Sequence, residues 1–372
     1  MIISGFIIIR VGVSNRYKFW CNSILIVNRY LGFQAAMNNI TSPVDKYFKH
    51  LRKGVGLFLL LTVFTCPNLL GQIAEFVPEG VNLATVDTTR KTYDGYLNAT
   101  SGTSSALGVY LNRNGVSEND IDGSISYEKT TVQLLYQYGL FKSVNLGITI
   151  PHIQNKRNSN ISVIDVSQSD FADSIDSAES SGFGDIKIWG LWRAFYTDQA
   201  DFQLGLTLKG DNAPLNSDSH DKMPLGNGSK ELTLFLRSHV YSIQSSLKLS
   251  LEVQQLMTES IDIKLDDGQT ATITQSNSLL ALLGLSSNSG AFRYGGGLKM
   301  ESIGNQKLDG VSQQNGYLSY ALRGLMAFGN LNLLEHQSIS NPWEARLEVE
   351  KVFSGSNAPD SQSLSISVLT YF

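Results

Sequence analysis

The feature that most constrains this chain is an alternation repeated many times along its 372 residues, in which every second residue is apolar and the residues between are polar or charged. Trp343, Ala345, Leu347 and Val349 stand against Glu344, Arg346, Glu348 and Glu350; Val144, Leu146, Ile148 and Ile150 stand against Asn145, Gly147 and Thr149. Side chains of a β-strand point alternately to its two faces, so each segment reads as a strand with one apolar and one polar face. A slip of one residue would carry a row of charges into the apolar environment, and the pattern therefore fixes register as well as type. The segment Gln362 to Phe372 keeps the same order, with Leu364, Ile366, Val368 and Phe372 on one face and Ser363, Ser365, Ser367 and Tyr371 on the other, broken by Leu369.

Hydrophobic residues make up 42% of the chain and charged ones only 17%, yet past the N-terminal region no stretch reaches the roughly 18 uncharged apolar residues that a spanning helix needs. A membrane protein without such helices must be a closed barrel, because each backbone N–H and C=O has to find its partner within the protein. The expected fold is thus all-β, a transmembrane antiparallel β-barrel of about 12 strands, an even number as single-chain bacterial barrels use. The expected strands are one within 88–113, then 124–140, 143–155, 183–196, 202–211, 229–241, 245–258, 276–287, 291–303, 316–328, 343–353 and 362–372. For the first, Tyr93 to Leu97 and Leu107 to Leu111 both qualify. With both chain ends in the periplasm, most long polar links fall outside the cell and most short ones inside; Gly329–Pro342 is a long exception.

Upstream, Lys46, Lys49, Arg52 and Lys53 lead into an apolar run within Gly54–Thr65, the order of a secretory signal peptide whose core is too short to span. The expected organisation is an upstream extension over 1–36, a signal peptide over 37–71 beginning at Met37, a periplasmic arm or lumen plug over 72–87, and a barrel over 88–372. Cys21 and Cys66 both precede the expected cleavage before Gln72. A net charge of −4 without a basic cluster points away from nucleic acid.

A terminal aromatic on an alternating strand, here Phe372, resembles the C-terminal signature of bacterial outer-membrane β-barrels. Tyr138 to Pro151 is similar to the YGL…LGI.IP hairpin of the MetA-pathway phenol-degradation outer-membrane β-barrel family. Ser181-Gly182-Phe183-Gly184-Asp185 resembles the SGFGD strand entry of that family, and Pro224 to Gly228 its later LG.G entry. The resemblance covers 132–237 well and the remainder by pattern. It implies an outer-membrane barrel associated with passage of aromatic or other apolar compounds, and no catalytic residue. Gly182 and Gly184 are expected to serve bends there, and Asp185 to accept backbone hydrogen bonds. The outer-membrane context implies two partners, the surrounding lipids and the barrel-assembly machinery, the latter recognising the strand that ends at Phe372.

A charge facing the lipid midplane costs about 2–4 kcal/mol, so the charges of the polar faces are expected in the lumen. These are Lys187, Arg193, Lys209, Arg237, Lys248, Glu252, Arg293, Lys299, Glu301, Arg323, Glu344, Arg346, Glu348 and Glu350. Two readings stay open. The charges line a narrow porin-like channel that selects small solutes, or they pair across a filled interior and hold a structural barrel together. An outer-membrane lipid hydrolase is a weaker alternative resting on His336-Gln337-Ser338, which lacks a glycine-rich context and a supporting Asn strand. His152, His220 and His239 show no metal-ligand spacing, and Asp266-Asp267-Gly268 reads as a turn. Asp165, Asp170, Asp173, Asp176 and Glu179 read as a solvated acidic loop. No cofactor or metal is expected.

Overall fold

The computed structural model describes residues 76–372, apart from 99–101, 114–115, 118, 166–167, 169–171, 174, 214–222, 227, 243–245, 265–269, 314 and 332–340. Twelve antiparallel strands close into one ring. They are β1 (Asn82–Tyr93), β2 (Ile121–Phe141), β3 (Val144–Val163), β4 in two segments (Ala178–Phe183 and Lys187–Tyr196), β5 (Ala200–Lys209), β6 (Glu231–Ser242), β7 (Leu247–Thr258), β8 (Ser278–Ser289), β9 (Phe292–Ile303), β10 (Tyr317–Gly329), β11 (Trp343–Ser356) and β12 (Gln362–Tyr371). Each strand pairs with its sequence neighbours, and β1 also pairs with β12, from Leu83 opposite Tyr371 to Thr92 opposite Gln362. Closure leaves no strand edge in the wall.

The alternation is the sidedness of this wall. Leu146, Ile188, Trp192, Leu204, Leu285, Leu298, Leu322, Leu347 and Ile366 are all large, apolar and exposed on the outside. The residues between them turn inward, where Asn145, Asp201, Gln203 and Glu344 are fully buried. An apolar exterior around a polar interior is the reverse of a soluble barrel and matches a wall bathed in lipid. Among the described residues no helix is long and apolar enough to cross a membrane.

One end of the ring carries tight links, among them Lys142-Ser143 and Gly290-Ala291, where Gly290 takes φ +58° as a two-residue hairpin turn requires. The other end carries the long connections 94–120, 164–177, 210–230, 259–277 and 304–316; among the described residues the first, fourth and fifth contain short strands. Gly95–Asn98, Gly102–Ser105 and Ala358–Pro359 form one small sheet; Ser260–Lys264, Thr270–Thr274, Lys307–Leu308 and Val311–Ser312 form another.

The first strand is not where either sequence candidate put it. It starts at Asn82, so residues 82–87 belong to the wall instead of an arm, and Tyr93 is its last residue. Its outward face carries Ala84, Val86, Thr88 and Arg90, a weak apolar signal. The second candidate, Leu107 to Leu111, lies in helix α1 (Ala106–Arg113). Ser105 caps it, its Oγ accepting from the Gly108 N–H at 2.9 Å, and Leu107 and Leu111, four residues apart, bury one face against Ile121, Ile125, Ala172 and Ile175. The β2–β3 hairpin also runs further than expected, because Asn155 to Ser162 pair with Ser124, Ile125 and their neighbours far past the apolar band. Both faces there are mostly polar in sequence, so the strand shows no apolar alternation, although Ile125 and Ile161 pack in the cluster under α1.

Candidate functional site

The lumen is the candidate site. The three consecutive strands β9, β10 and β11 place cations and carboxylates in a lattice: Arg293 meets Glu344 at 2.5 Å, Arg346 also meets Glu344 at 2.5 Å, Lys299 meets Glu350 at 3.0 Å and Glu301 at 3.6 Å, and Arg323 meets Glu348 at 2.6 Å and Glu350 at 3.4 Å. Further round the ring Arg237 binds Glu252 at 2.7 Å and Arg193 binds the buried Asp201 at 3.0 Å, while Gln203 also donates to Asp201 at 2.7 Å. Lys209 lies between Asp185 at 2.9 Å and Glu231 at 3.2 Å. Lys248 is buried with its Nζ 6.0 Å from the Tyr241 ring centroid. Charges removed from water need partners within the protein, and this lattice supplies them.

The short-turn end is covered from within. Residues 76–81 fold under β1, and Val77, fully buried, is gripped by Asn145: its N–H donates to Asn145 Oδ1 at 2.9 Å and its carbonyl accepts from Asn145 Nδ2 at 2.8 Å. Gln137 donates to the same Oδ1 at 2.8 Å. Gly139 lets this segment lie on the wall, since a Cβ there would sit 1.9 Å from the Pro78 carbonyl oxygen. Phe76 packs on Leu191, Trp189 and Phe235, with the Arg193 guanidinium 4.1 Å from its ring centroid. Val77 joins Leu83, Leu331, Leu369 and Tyr371 in an apolar cluster, which accounts for Leu369 breaking the polar face of the last strand. Within the region for which the sequence left open a free arm or a plug, residues 76–81 lie against the inner wall through Asn145, Gly139 and Leu191.

The break in β4 is a joint. Asp185 Oδ1 accepts from the Ala213 N–H at 2.8 Å and its Oδ2 holds Lys209, while Asn212 Oδ1 accepts from the Ile186 N–H at 3.0 Å. A Cβ on Gly182 would stand 2.7 Å from Leu225 Cδ1 and one on Gly226 2.8 Å from Asp185 Oδ2. The two glycine motifs, with Gly182 and Gly226 separated by 44 positions in sequence, thus close on each other, and a Cβ on Gly184 would meet the Ile153 side chain at 2.5 Å.

Two cavities open among these groups. One of about 360 Å³ lies between Arg237, Lys248, Glu252, Arg293, Arg323 and Arg346. The other, about 370 Å³, lies under the joint between Lys129, Lys187, Pro151, Ile153 and Leu225.

All fourteen charged residues expected at the lumen lie on the inward face, and each joins an ion pair or lines a cavity described above; among the described residues Lys187 lines the second cavity without an ion-pair partner. Asp87, Lys91, Lys129, Asp201 and Glu231 share that face and were missed, although Lys129-Thr130-Thr131-Val132-Gln133-Leu134 carries the same alternation. Tyr241 and His239 are also inward and buried or nearly so, His239 facing Ser250 at 3.0 Å. His220, Asp170, Asp266, Asp267, His336 and Ser338 lie outside the described residues, as does the expected signal peptide. Among the described residues no group of three His, Cys, Asp or Glu side chains is placed to hold a metal ion.

Fold and lumen together define a twelve-stranded antiparallel β-barrel of the outer-membrane type. An outer membrane channel from Pseudomonas putida F1 superposes with a TM-score of 0.58 at 14% identity, covering 83% of this chain and all of that one. A FadL homologue of Pseudomonas aeruginosa gives 0.37 at 11% identity over 78% of this chain and 90% of its own, and the translocator domain of the autotransporter NalP from Neisseria meningitidis 0.42 at 10% over 89% and 99%. At 14% identity the likeness to the Pseudomonas putida channel is one of fold alone. No protein-family model and no curated protein matches the chain.

Proposed function

We propose that the protein is an outer-membrane channel of the MetA-pathway phenol-degradation type, passing small solutes through its lumen. The long connections would face outward and the tight turns the periplasm, with Phe372 on the strand offered to the barrel-assembly machinery and lipid around the apolar wall. The observation that carries this reading is the interior itself. It is polar, and between its ion pairs it keeps cavities of about 360 and 370 Å³ instead of a packed apolar core. The resemblance of the Tyr138 to Pro151 and Ser181 to Asp185 segments supports small aromatic or apolar compounds as cargo.

The pairing of lumen carboxylates with Lys and Arg favours a second reading, a filled barrel that only holds itself together. Planar-bilayer recording of the refolded full chain decides between them. The channel reading expects small, discrete conductance steps that grow when Val77 is released by Asn145→Leu. Silence from both proteins, with β-rich circular dichroism intact, would leave the structural barrel.

A further inference from the structure

We propose that the cavity under the β4 joint is a binding subsite for a small carboxylate with an apolar body, an inference that rests on the channel reading for its physiological use. Among the described residues the lumen carboxylates from β4 to β11 each have a cation: Asp185 and Glu231 both go to Lys209, and those on β5, β7, β9 and β11 go to arginines or Lys299. Lys129 and Lys187 line the same cavity, and among the described residues neither has a carboxylate within ion-pair distance. Both are exposed to the lumen.

The register makes the surplus sharper. Lys129 stands directly across from Lys91, and Lys187 directly across from Lys209; Asp185 and Glu231 offset Lys209, whereas among the described residues neither Lys91 nor Lys129 is in an ion pair, so like charges face each other there, an arrangement that costs stability unless an anion joins it. Asp185 offers no relief, because its two oxygens are held by the Ala213 N–H and by Lys209.

The rest of the wall describes the ligand. Gln133 and Thr149 add neutral hydrogen-bonding groups beside the ammonium groups, while Pro151, Ile153 and Leu225 supply an apolar side. A volume of about 370 Å³ lies within the range of small-molecule sites. A carboxylate would sit between Lys129 and Lys187 with its hydrocarbon part on the apolar side.

Isothermal titration of the refolded full chain in detergent with benzoate tests this, with benzyl alcohol as the neutral comparison. Saturable benzoate binding is expected, weakened by added salt, and about tenfold weaker in each of Lys129→Gln and Lys187→Gln, the loss of one charge-assisted contact. Lys129→Arg should restore it, benzyl alcohol should give no saturable binding, and Lys351→Gln, which removes an ion pair with Asp360 outside the cavity, should leave benzoate binding unchanged. Absence of benzoate binding, wild-type benzoate affinity in both glutamine variants with β-rich circular dichroism preserved, or benzyl alcohol binding as tightly as benzoate overturns the subsite. Bilayer conductance of the same preparations reports separately on the channel: benzoate binding without conductance keeps the subsite and removes the channel, and conductance without binding does the converse.

Discussion

Lys299 on β9 and Glu350 on β11 meet at 3.0 Å with a whole strand between them. The intervening β10 presents Ala321 opposite Lys299 and Ala327 opposite Arg293, both buried, and these small side chains leave room for β9 cations to reach β11 carboxylates over the top. Ala321→Leu should therefore break the crossing and overpack the lumen. A loss of about 1–3 kcal/mol in urea unfolding, in detergent, is expected; an unchanged midpoint would mean that the crossing contributes nothing.

Asn145→Leu keeps the branched shape of the side chain and removes both partners of the Val77 backbone. Leaving those buried groups without bonds costs about 1–3 kcal/mol each, enough to undock residues 76–81 for part of the time. The barrel should still fold. Limited proteolysis within 76–81 should accelerate, and a cleavage rate equal to that of the wild type would show that the apolar cluster around Val77 holds the segment alone.

Gly139→Ala attacks the same segment from the wall side, since the new Cβ would collide with the Pro78 carbonyl. Proteolytic sensitivity at 76–81 should rise as it does for Asn145→Leu, while Gly80→Ala, where nothing lies near but φ is +78°, should destabilise through backbone strain alone. Comparing the two by thermal melting and by cleavage separates crowding from strain.

Leu347 faces outward and Glu348 inward, the latter joined to Arg323 at 2.6 Å. Leu347→Arg should lower folding stability in lipid by about 2–4 kcal/mol if its position is near the bilayer middle. Glu348→Gln breaks a partly water-exposed pair, for which about 1 kcal/mol or less is expected. Equal losses measured by vesicle refolding would contradict the assignment of faces.

The sequence was legible where strands separate two solvents and mute where they do not. Val144 to Ile150 and Trp343 to Glu350 announce their faces because lipid and lumen demand different residues, and those segments match the structure closely. Asn155 to Val163 lies beyond the apolar band and Asn82 to Thr92 carries threonines outward, so neither shows a period to read. The lumen charges were placed by the same alternation, but their pairing was not. Reaching from Lys299 to Glu350 depends on how strands curve round the ring, which no local pattern records. The approach of Leu225 to Gly182 is likewise a matter of tertiary packing, visible beforehand only as two glycine-bearing motifs without a stated relation.

Asn82 and Phe372 exchange backbone hydrogen bonds at 2.9 and 3.1 Å, and the Asn82 side-chain amide donates to the Phe372 carbonyl at 3.2 Å, across a separation of 290 residues. Every other neighbouring pair in the wall is adjacent in sequence, so this seam is by far the most non-local pairing of the ring. The local pairings are therefore expected to form before the first and last strands meet, and residues 76–81, continuous with the first strand, reach their contacts with Asn145 only in the closed ring. The seam is in this sense a clock as well as a joint, because the chain is committed to its closed form only when its two most distant strands have found each other.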